Sequence, residues 1–194
     1  MNKKSPNTAV KEALYLFHQD GALDLIAGAT LLNFGFDVLG GAEMTSLFTW
    51  IPILLYSSLK NKNTLPKLTP YLKNVSDKQL RLWTIIPSVG LILLLILLGI
   101  IMLSDGLNLG EMRTMAGFAF IALICLIPAL WVGLKQYFIY AGVAFALGLL
   151  SLLFLPSAWS VFIIATLMLF FGGRMMMRFS RDYPQPEEIK ADEN

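Results

Sequence analysis

The chain has 194 residues, of which 56% are hydrophobic and only 14% are charged, and its mean hydropathy is +0.66. Soluble domains carry charge on roughly a quarter of their residues, so this composition excludes an ordinary water-soluble domain and indicates a membrane protein. The net charge of +2 gives no electrostatic reason to expect nucleic acid as a partner. One cysteine and one histidine exclude an intrachain disulfide and zinc sites built from several such residues, so we expect no metal and no cofactor.

Six apolar stretches each have about the length of roughly 20 residues that crosses a hydrocarbon core. They are Ala22–Leu39, Ala42–Leu59, Leu82–Leu103, Met115–Leu134, Tyr137–Leu155 and Ala158–Met177. A helix satisfies its own backbone hydrogen bonds in lipid, and the runs lack the alternation of barrel strands, so we predict an all-α bundle of six transmembrane helices arranged as three hairpins. The short linker between the first two spans leaves a re-entrant hairpin as the alternative.

An amphipathic segment precedes the first span and begins with the helix-start pair Ser5-Pro6. Its apolar residues recur at helical spacing and are Val10, Ala13, Leu14 and Phe17. We therefore predict an amphipathic interfacial helix within a cytoplasmic segment 1–20, a transmembrane domain at 21–182 and a flexible cytoplasmic tail at 183–194. The largest soluble part is a predicted cytoplasmic loop at 60–81, in which Ser76 is a candidate cap for a short helix.

Positive charge is distributed asymmetrically along this layout. Six spans place both termini and the loop 60–81 on one side, and every Lys and Arg except Arg113 falls on that side. Basic residues near the ends of spans resist translocation, so this side is predicted to be cytoplasmic, with the amino and carboxyl termini both inside.

Polar residues within the spans concentrate in the first one, as Asp24, Thr30, Asn33 and Asp37. Ionisable groups in a span cost a few kcal/mol each at the bilayer centre and usually face the bundle interior or a wet cavity. Asp24 lies on one face of this helix and the other three lie on the nearly opposite face, so we expect protein to surround the helix. The four residues are candidates for a polar pathway. The alternatives are a helix-start carboxylate for Asp24, a cap or solvated turn for Asp37, and interhelical hydrogen bonds for Thr30 and Asn33.

A basic stripe marks the end of the last span, where Arg174, Arg178 and Arg181 share one helix face. These residues are candidate contacts for the head groups of anionic phospholipids, and the alternative is simple snorkelling to the interface. A pair between Arg174 and Asp24 is a further possibility.

Candidate catalytic residues are lacking in the sequence. Cys125 lies in an apolar span, where a thiol behaves as a small hydrophobic group, and His18 is expected to be solvated on the interfacial helix. Hydrolysis or group transfer would need a nucleophile with a base, or a metal cluster, so we predict that the protein is not an enzyme. Pro52, Pro87 and Pro128 interrupt spans and either kink a helix or line a cavity. Ala141, Ala144 and Gly148 form a small-residue stripe on the fifth span, which predicts close helix packing.

Three different short motifs lie at the beginning, in the middle and at the end of the chain. They are Asp20-Gly21…Asp24…Gly28…Gly35, then Pro66-Lys67…Tyr71-Leu72-Lys73, and finally Arg178-Phe179…Arg181…Tyr183-Pro184…Pro186-Glu187-Glu188. This pattern resembles a family of small bacterial multi-pass membrane proteins known mainly as a domain of unknown function. The resemblance implies bacterial origin and a place in the cytoplasmic (inner) membrane, and it implies no catalytic residues.

Two functions follow from these patterns. One is a small transporter or channel-like protein for a proton, a cation or a small solute, with the polar residues of the first helix beside its pathway. The other is a non-catalytic membrane scaffold, regulatory module or binding module for lipid or a partner, the expected partners being the bilayer, a second copy or another membrane protein. A water-accessible cavity that reaches Asp24 or Asn33 would favour transport, and a dry bundle would favour the module.

Overall fold

The computed structural model describes residues 6–39, 51–68, 75–103, 112–153 and 157–184. The elements are α1 (Pro6–His18), α2 (Ala22–Leu39), α3 (Ile51–Leu59), a π-helix (Lys60–Thr64), α4 (Leu65–Leu68), α5 (Asp77–Leu103), α6 (Met112–Trp131), α7 (Lys135–Leu153) and α8 (Ser157–Asp182). These residues contain helices and no strand, which confirms the predicted all-α class.

Within the described part of the chain, three helices are long and apolar enough to cross a membrane, at Thr114–Trp131, Lys135–Leu153 and Ala158–Asp182. They correspond to the last three predicted spans. The first and third predicted spans contain shorter apolar helices, Ala22–Phe36 and Arg81–Leu94. The first half of the second predicted span and the linker at 40–43 lie outside the described residues, so the six spans, the three hairpins and the re-entrant alternative stay predictions.

Large apolar side chains cover the outside of the bundle. Leu54, Leu130 and Leu153 are 74%, 73% and 74% exposed. Water would disfavour so many exposed apolar groups over a contiguous surface, whereas hydrocarbon solvates them. This surface supports a membrane location.

Helix α2 lies at the centre of the bundle and packs against α3, α5 and α8. Among its described side chains, only Phe36 and Leu39 are exposed. Over its described residues the expectation that protein surrounds this helix is met, because Asp24 and Thr30, on nearly opposite faces, are both buried.

Glycines allow α2 and α8 to approach closely. A Cβ atom on Gly28 would lie 2.9 Å from the Ala165 carbonyl oxygen, and one on Gly172 would lie 2.8 Å from the Leu25 amide nitrogen. Small residues at such contacts let two backbones meet in van der Waals contact. The position of α8 beside the start of α2 thus depends on the absence of side chains.

Helices α6 and α7 form a second closely packed pair. The predicted small-residue stripe of Ala141, Ala144 and Gly148 is buried, and a Cβ atom on Gly148 would lie 2.9 Å from Phe118 Cβ. The expected close packing on this face is confirmed.

One end of the bundle is closed by a separate apolar cluster, which consists of Ala13, Phe17, Leu68, Trp83 and Phe179. We call this the basic end, because Lys67, Lys78, Arg178 and Arg181 are located around it. The rings of Phe17 and Trp83 are 5.6 Å apart. Ala13 and Phe17 on the apolar face of α1 thus pack against aromatic side chains of α5 and α8, and the interfacial location of this helix stays a prediction.

The predicted loop at 60–81 is also corrected, since the π-helix and α4 occupy its first part and α5 begins at Asp77. Ser76 caps α5, as its sequence position suggested, but the capped helix is the long one. The Gln79 amide donates to Ser76 Oγ at 3.3 Å and the Ser76 amide donates to Gln79 Oε1 at 3.1 Å. This reciprocal pair is a capping box.

Candidate functional site

Asp20 joins three parts of the chain at the basic end. It lies in the turn between α1 and α2, where Gly21 has a φ of +77° that side chains rarely adopt. The Ala22 amide donates to Asp20 Oδ1 at 3.1 Å, so the carboxylate caps the start of α2. Thr64 donates its hydroxyl to Asp20 Oδ2, which fixes the π-helix to the same turn.

Lys60 completes this cluster from the start of the π-helix. Its Nζ atom lies 2.7 Å from Asp20 Oδ1, donates to the Phe17 carbonyl oxygen and sits 4.2 Å from the centre of the Phe17 ring. The side chain is fully buried. Burial lowers the pKa of Lys60, and Asp20 opposes that change by stabilising the ammonium form. Lys60, which the charge distribution predicted to lie in a cytoplasmic loop, is therefore part of a buried ion pair.

The expectation that His18 is solvated is wrong, because its side chain is buried at 6% exposure. Its ring packs edge-on against Phe17 at 5.1 Å. Burial, and then the charge of Lys60, lower the pKa of His18 to about 3, so the imidazole is neutral at physiological pH. Its Nδ1 atom has no hydrogen-bond partner among the described residues.

Asp24 lies one turn after Asp20 and is also buried, at 1% exposure. Tyr137 and Gln136, at the start of α7, face its carboxylate. Within the described part of the chain, Asp24 Oδ1, Tyr137 OH and Gln136 Nε2 nevertheless lack a hydrogen bond of ordinary geometry. An unsatisfied buried polar atom costs roughly 1–3 kcal/mol, so a hydrogen-bonding ligand would be stabilised here. Asp24 lies in the first turn of α2, as the helix-start alternative predicted. It is not within reach of water, however, because α7 and Gly172 of α8 cover it.

A groove of about 250 Å³ runs between α2, α5 and α6. We define the groove by Leu23, Ala27 and Leu31 of α2, Trp83, Pro87, Gly90 and Leu91 of α5, and Ile121, Cys125 and Pro128 of α6, with His18, Leu134 and Tyr137 at the basic end. Its walls are almost entirely apolar, and neither Asp24 nor Asn33 lines it. The groove therefore fits a hydrocarbon better than a hydrated ion.

The mouth of the groove lies on the outer surface between α5 and α6. Three of its lining residues, Ile86, Ile127 and Trp131, are 49%, 60% and 63% exposed. Pro87 and Pro128 stand on opposite walls, which places two of the predicted helix interruptions at one cavity.

The four candidates for a polar pathway do not form one cluster. Asp24 faces α7 near the basic end, whereas Thr30 lies about 9 Å further along the axis of α2. Thr30 is buried and its hydroxyl lacks a partner among the described residues. Asn33 is half-buried and takes part in an interaction, and the Asp37 side chain lies outside the described part.

The basic stripe of α8 points outward, as a contact with lipid head groups requires. Arg174, Arg178 and Arg181 are all exposed, and the Nε atoms of Arg178 and Arg181 lie 3.4 Å and 3.7 Å from oxygens of Asp182. The possible pair between Arg174 and Asp24 is not formed, because Asp24 is buried while Arg174 faces outward.

Sequence reasoning missed the Asp20–Lys60 pair and the contribution of His18 and Tyr137. Asp20 and Lys60 are 40 residues apart, and Lys60 was counted only as a topological charge. One signal pointed toward them: Asp20 and Asp24 are two carboxylates four residues apart at the start of an apolar stretch, and buried charges are usually paired.

Comparisons of the chain with protein-family models, with curated proteins and with solved structures found no match.

Proposed function

We propose that this is a multi-pass protein of the bacterial cytoplasmic membrane that binds an apolar molecule from the lipid phase and acts as a non-catalytic membrane module. The observation that carries the proposal is the groove of about 250 Å³ with apolar walls and a mouth between α5 and α6. Burial of hydrocarbon there replaces contact with lipid by close contact with Leu, Ile and Pro side chains.

The proposal includes six spans with both termini in the cytoplasm. Its support is that the start of α2, the start of α5 and the end of α8 meet at the basic end, through contacts of Phe17, Trp83, Phe179 and Gly172. Outward-facing Arg174, Arg178 and Arg181 would bind anionic phospholipid heads there. The resemblance to small bacterial membrane proteins is the reason for choosing the cytoplasmic membrane.

Trp83 provides a readout for binding in the groove, because it lines the groove and is only 8% exposed. A variant in which Trp50, Trp131 and Trp159 are replaced by Phe leaves Trp83 as the only tryptophan. We expect a brominated long-chain alkane to quench its fluorescence saturably in detergent micelles.

Filling the groove should abolish this quenching. A Cβ atom on Gly90 meets nothing within 4 Å, so Gly90→Phe projects a ring into the groove with little strain on the backbone. Gly142 of α7 is equally unobstructed and does not line the groove, which makes Gly142→Phe the matched control. We expect at least a fivefold weaker apparent affinity for Gly90→Phe and no change for Gly142→Phe; equal behaviour of the two variants would overturn the proposal.

A second candidate, transport of a proton or cation, is favoured by one observation, the buried Asp24 carboxylate with an unpartnered Oδ1. In reconstituted vesicles, transport would appear as a flux that Asp24→Asn or Asp37→Asn reduces at least tenfold. Absence of a flux, or a flux that both variants leave intact, would remove this candidate.

A further inference from the structure

We infer that the groove selects an uncharged amphiphile, with a single hydrocarbon chain and a hydroxyl or carbonyl head that hydrogen-bonds to the Tyr137 hydroxyl and His18 Nδ1. The inference rests on the proposed binding function and names the class of ligand. It commits to one source, the lipid phase of the membrane.

Two buried polar side chains end the groove. His18 and Tyr137 both line it, at 6% and 5% exposure. His18 Nδ1 lacks a hydrogen-bond partner among the residues described, and the Tyr137 hydroxyl, which faces Asp24, makes no hydrogen bond of ordinary geometry there. Buried polar groups in proteins nearly always have such a partner. A hydroxyl can donate and accept, and a carbonyl accepts from the Tyr137 hydroxyl, so either head group would satisfy atoms that the protein leaves unpaired.

The electrostatics of this end exclude a charged head. The ammonium group of Lys60 is already held by Asp20 and the Phe17 carbonyl, and the His18 ring is neutral because burial lowers its pKa to about 3. An anionic head would lose its hydration in a groove whose walls are almost entirely apolar. A cationic head would lose its hydration on entering the groove, and no carboxylate among the lining residues would compensate for that loss.

The size of the groove limits the apolar part of the ligand. An engineered cavity of about 150 Å³ lined by Leu, Ile and Phe holds one benzene molecule. The groove, at about 250 Å³, therefore holds part of one chain and not the two chains of a phospholipid. Its open mouth lets the remainder of the chain extend between α5 and α6 into the lipid.

The test compares three brominated octadecyl probes with identical chains and different heads, an alcohol, a sulfate and a trimethylammonium, in quenching of the Trp83-only variant. The two charged probes keep their charge at every pH used. We expect the alcohol to bind at least tenfold more tightly than either charged probe. Equal or tighter binding of a charged probe would overturn the inference while leaving the proposed function intact, whereas no saturable quenching by any probe, including the brominated alkane, would overturn both.

A pair of tyrosine variants tests the role of the hydroxyl. Tyr137→Phe keeps the ring and removes the proposed hydrogen bond, so the alcohol should bind about tenfold more weakly while the alkane is unaffected. Tyr140→Phe is the control, because the Tyr140 hydroxyl is also buried and unpartnered but the residue does not line the groove. If Tyr137→Phe leaves the affinity for the alcohol unchanged, or if Tyr140→Phe lowers it equally, the assignment of the head-group site is wrong.

Discussion

Asp20 and Lys60 form an ion pair that is almost completely removed from solvent, with side-chain exposures of 4% and 0%. Each charge loses its hydration, so the pair is tolerated only because the Ala22 amide, the Thr64 hydroxyl and the Phe17 carbonyl provide further hydrogen bonds. The pair holds the turn before α2 against the π-helix. Because Lys60 also binds the Phe17 carbonyl, the pair fixes the end of α1 and with it His18 at the end of the groove.

Breaking the pair from one side should destabilise the protein strongly. We expect Asp20→Asn to lower the free energy of unfolding in detergent micelles by about 3–5 kcal/mol, because Lys60 would keep a buried charge without its partner. Lys60→Met in the same chain should recover part of that loss, since Met fills a similar volume without a charge.

The exposed pair of Arg178 and Asp182 is the control for this prediction. Arg178 is 76% exposed, so Arg178→Ala should change the free energy of unfolding by less than about 1 kcal/mol. Additive effects of Asp20→Asn and Lys60→Met, measured by denaturation of the double variant, would contradict a coupled buried pair.

At the scale of elements, α2 and α8 are held together by the close approach of Gly172 to α2. Its missing side chain leaves room for Asp24 and for the Gly21 carbonyl, which would lie 2.9 Å and 3.0 Å from an added Cβ. Helix α8 thus packs directly against the buried side chain of Asp24. The contact is backbone against backbone, so it cannot yield by a change of rotamer.

We therefore expect Gly172→Ala to be destabilising despite the higher helix propensity of alanine. Forcing the helices apart should cost about 1–3 kcal/mol, which would appear as a lower thermal midpoint. Gly173→Ala is the matched control, because a Cβ atom there meets nothing within 4 Å. A normal midpoint for Gly172→Ala would mean that α2 and α8 are not packed as closely as described.

At the scale of the whole molecule, the basic end brings together chain segments that the charge distribution predicted to be cytoplasmic. Lys67 donates to Ser180 Oγ at 2.8 Å, which links α4 to the end of α8. These contacts give a physical reason for placing both regions on one side, since residues in direct contact cannot face opposite compartments.

The predicted topology can be tested with single cysteines in a Cys125→Ala background. Lys62→Cys and Ser180→Cys replace exposed residues and should react with a membrane-impermeant maleimide only after the cells are permeabilised. Arg113→Cys, at the one basic position predicted outside, should react in intact cells. Labelling of Lys62→Cys and Ser180→Cys from opposite sides would contradict the arrangement with both termini inside.

Much of the helical framework was predictable from local patterns. The long apolar runs predicted α6, α7 and α8, the small-residue stripe predicted the burial of one face of α7, and Ser76 with Gln79 predicted a helix start. Which groups cover the apolar face of the amphipathic helix α1 was not predictable, because an apolar stripe has the same sequence whether lipid or protein covers it. His18 was misjudged for the same reason.

The sequence by itself determined that the chain is helical and suited to lipid, because hydropathy and helical periodicity are sums over neighbouring residues. Only the tertiary structure decided which polar groups are desolvated and which meet. Lys60 is buried because the π-helix that follows α3 begins beside Asp20. The Tyr137 hydroxyl is buried without an ordinary hydrogen bond because α7 starts between Asp24 and the groove. Desolvation and hydrogen bonding depend on neighbours distant in the chain, and packing alone brings those neighbours together.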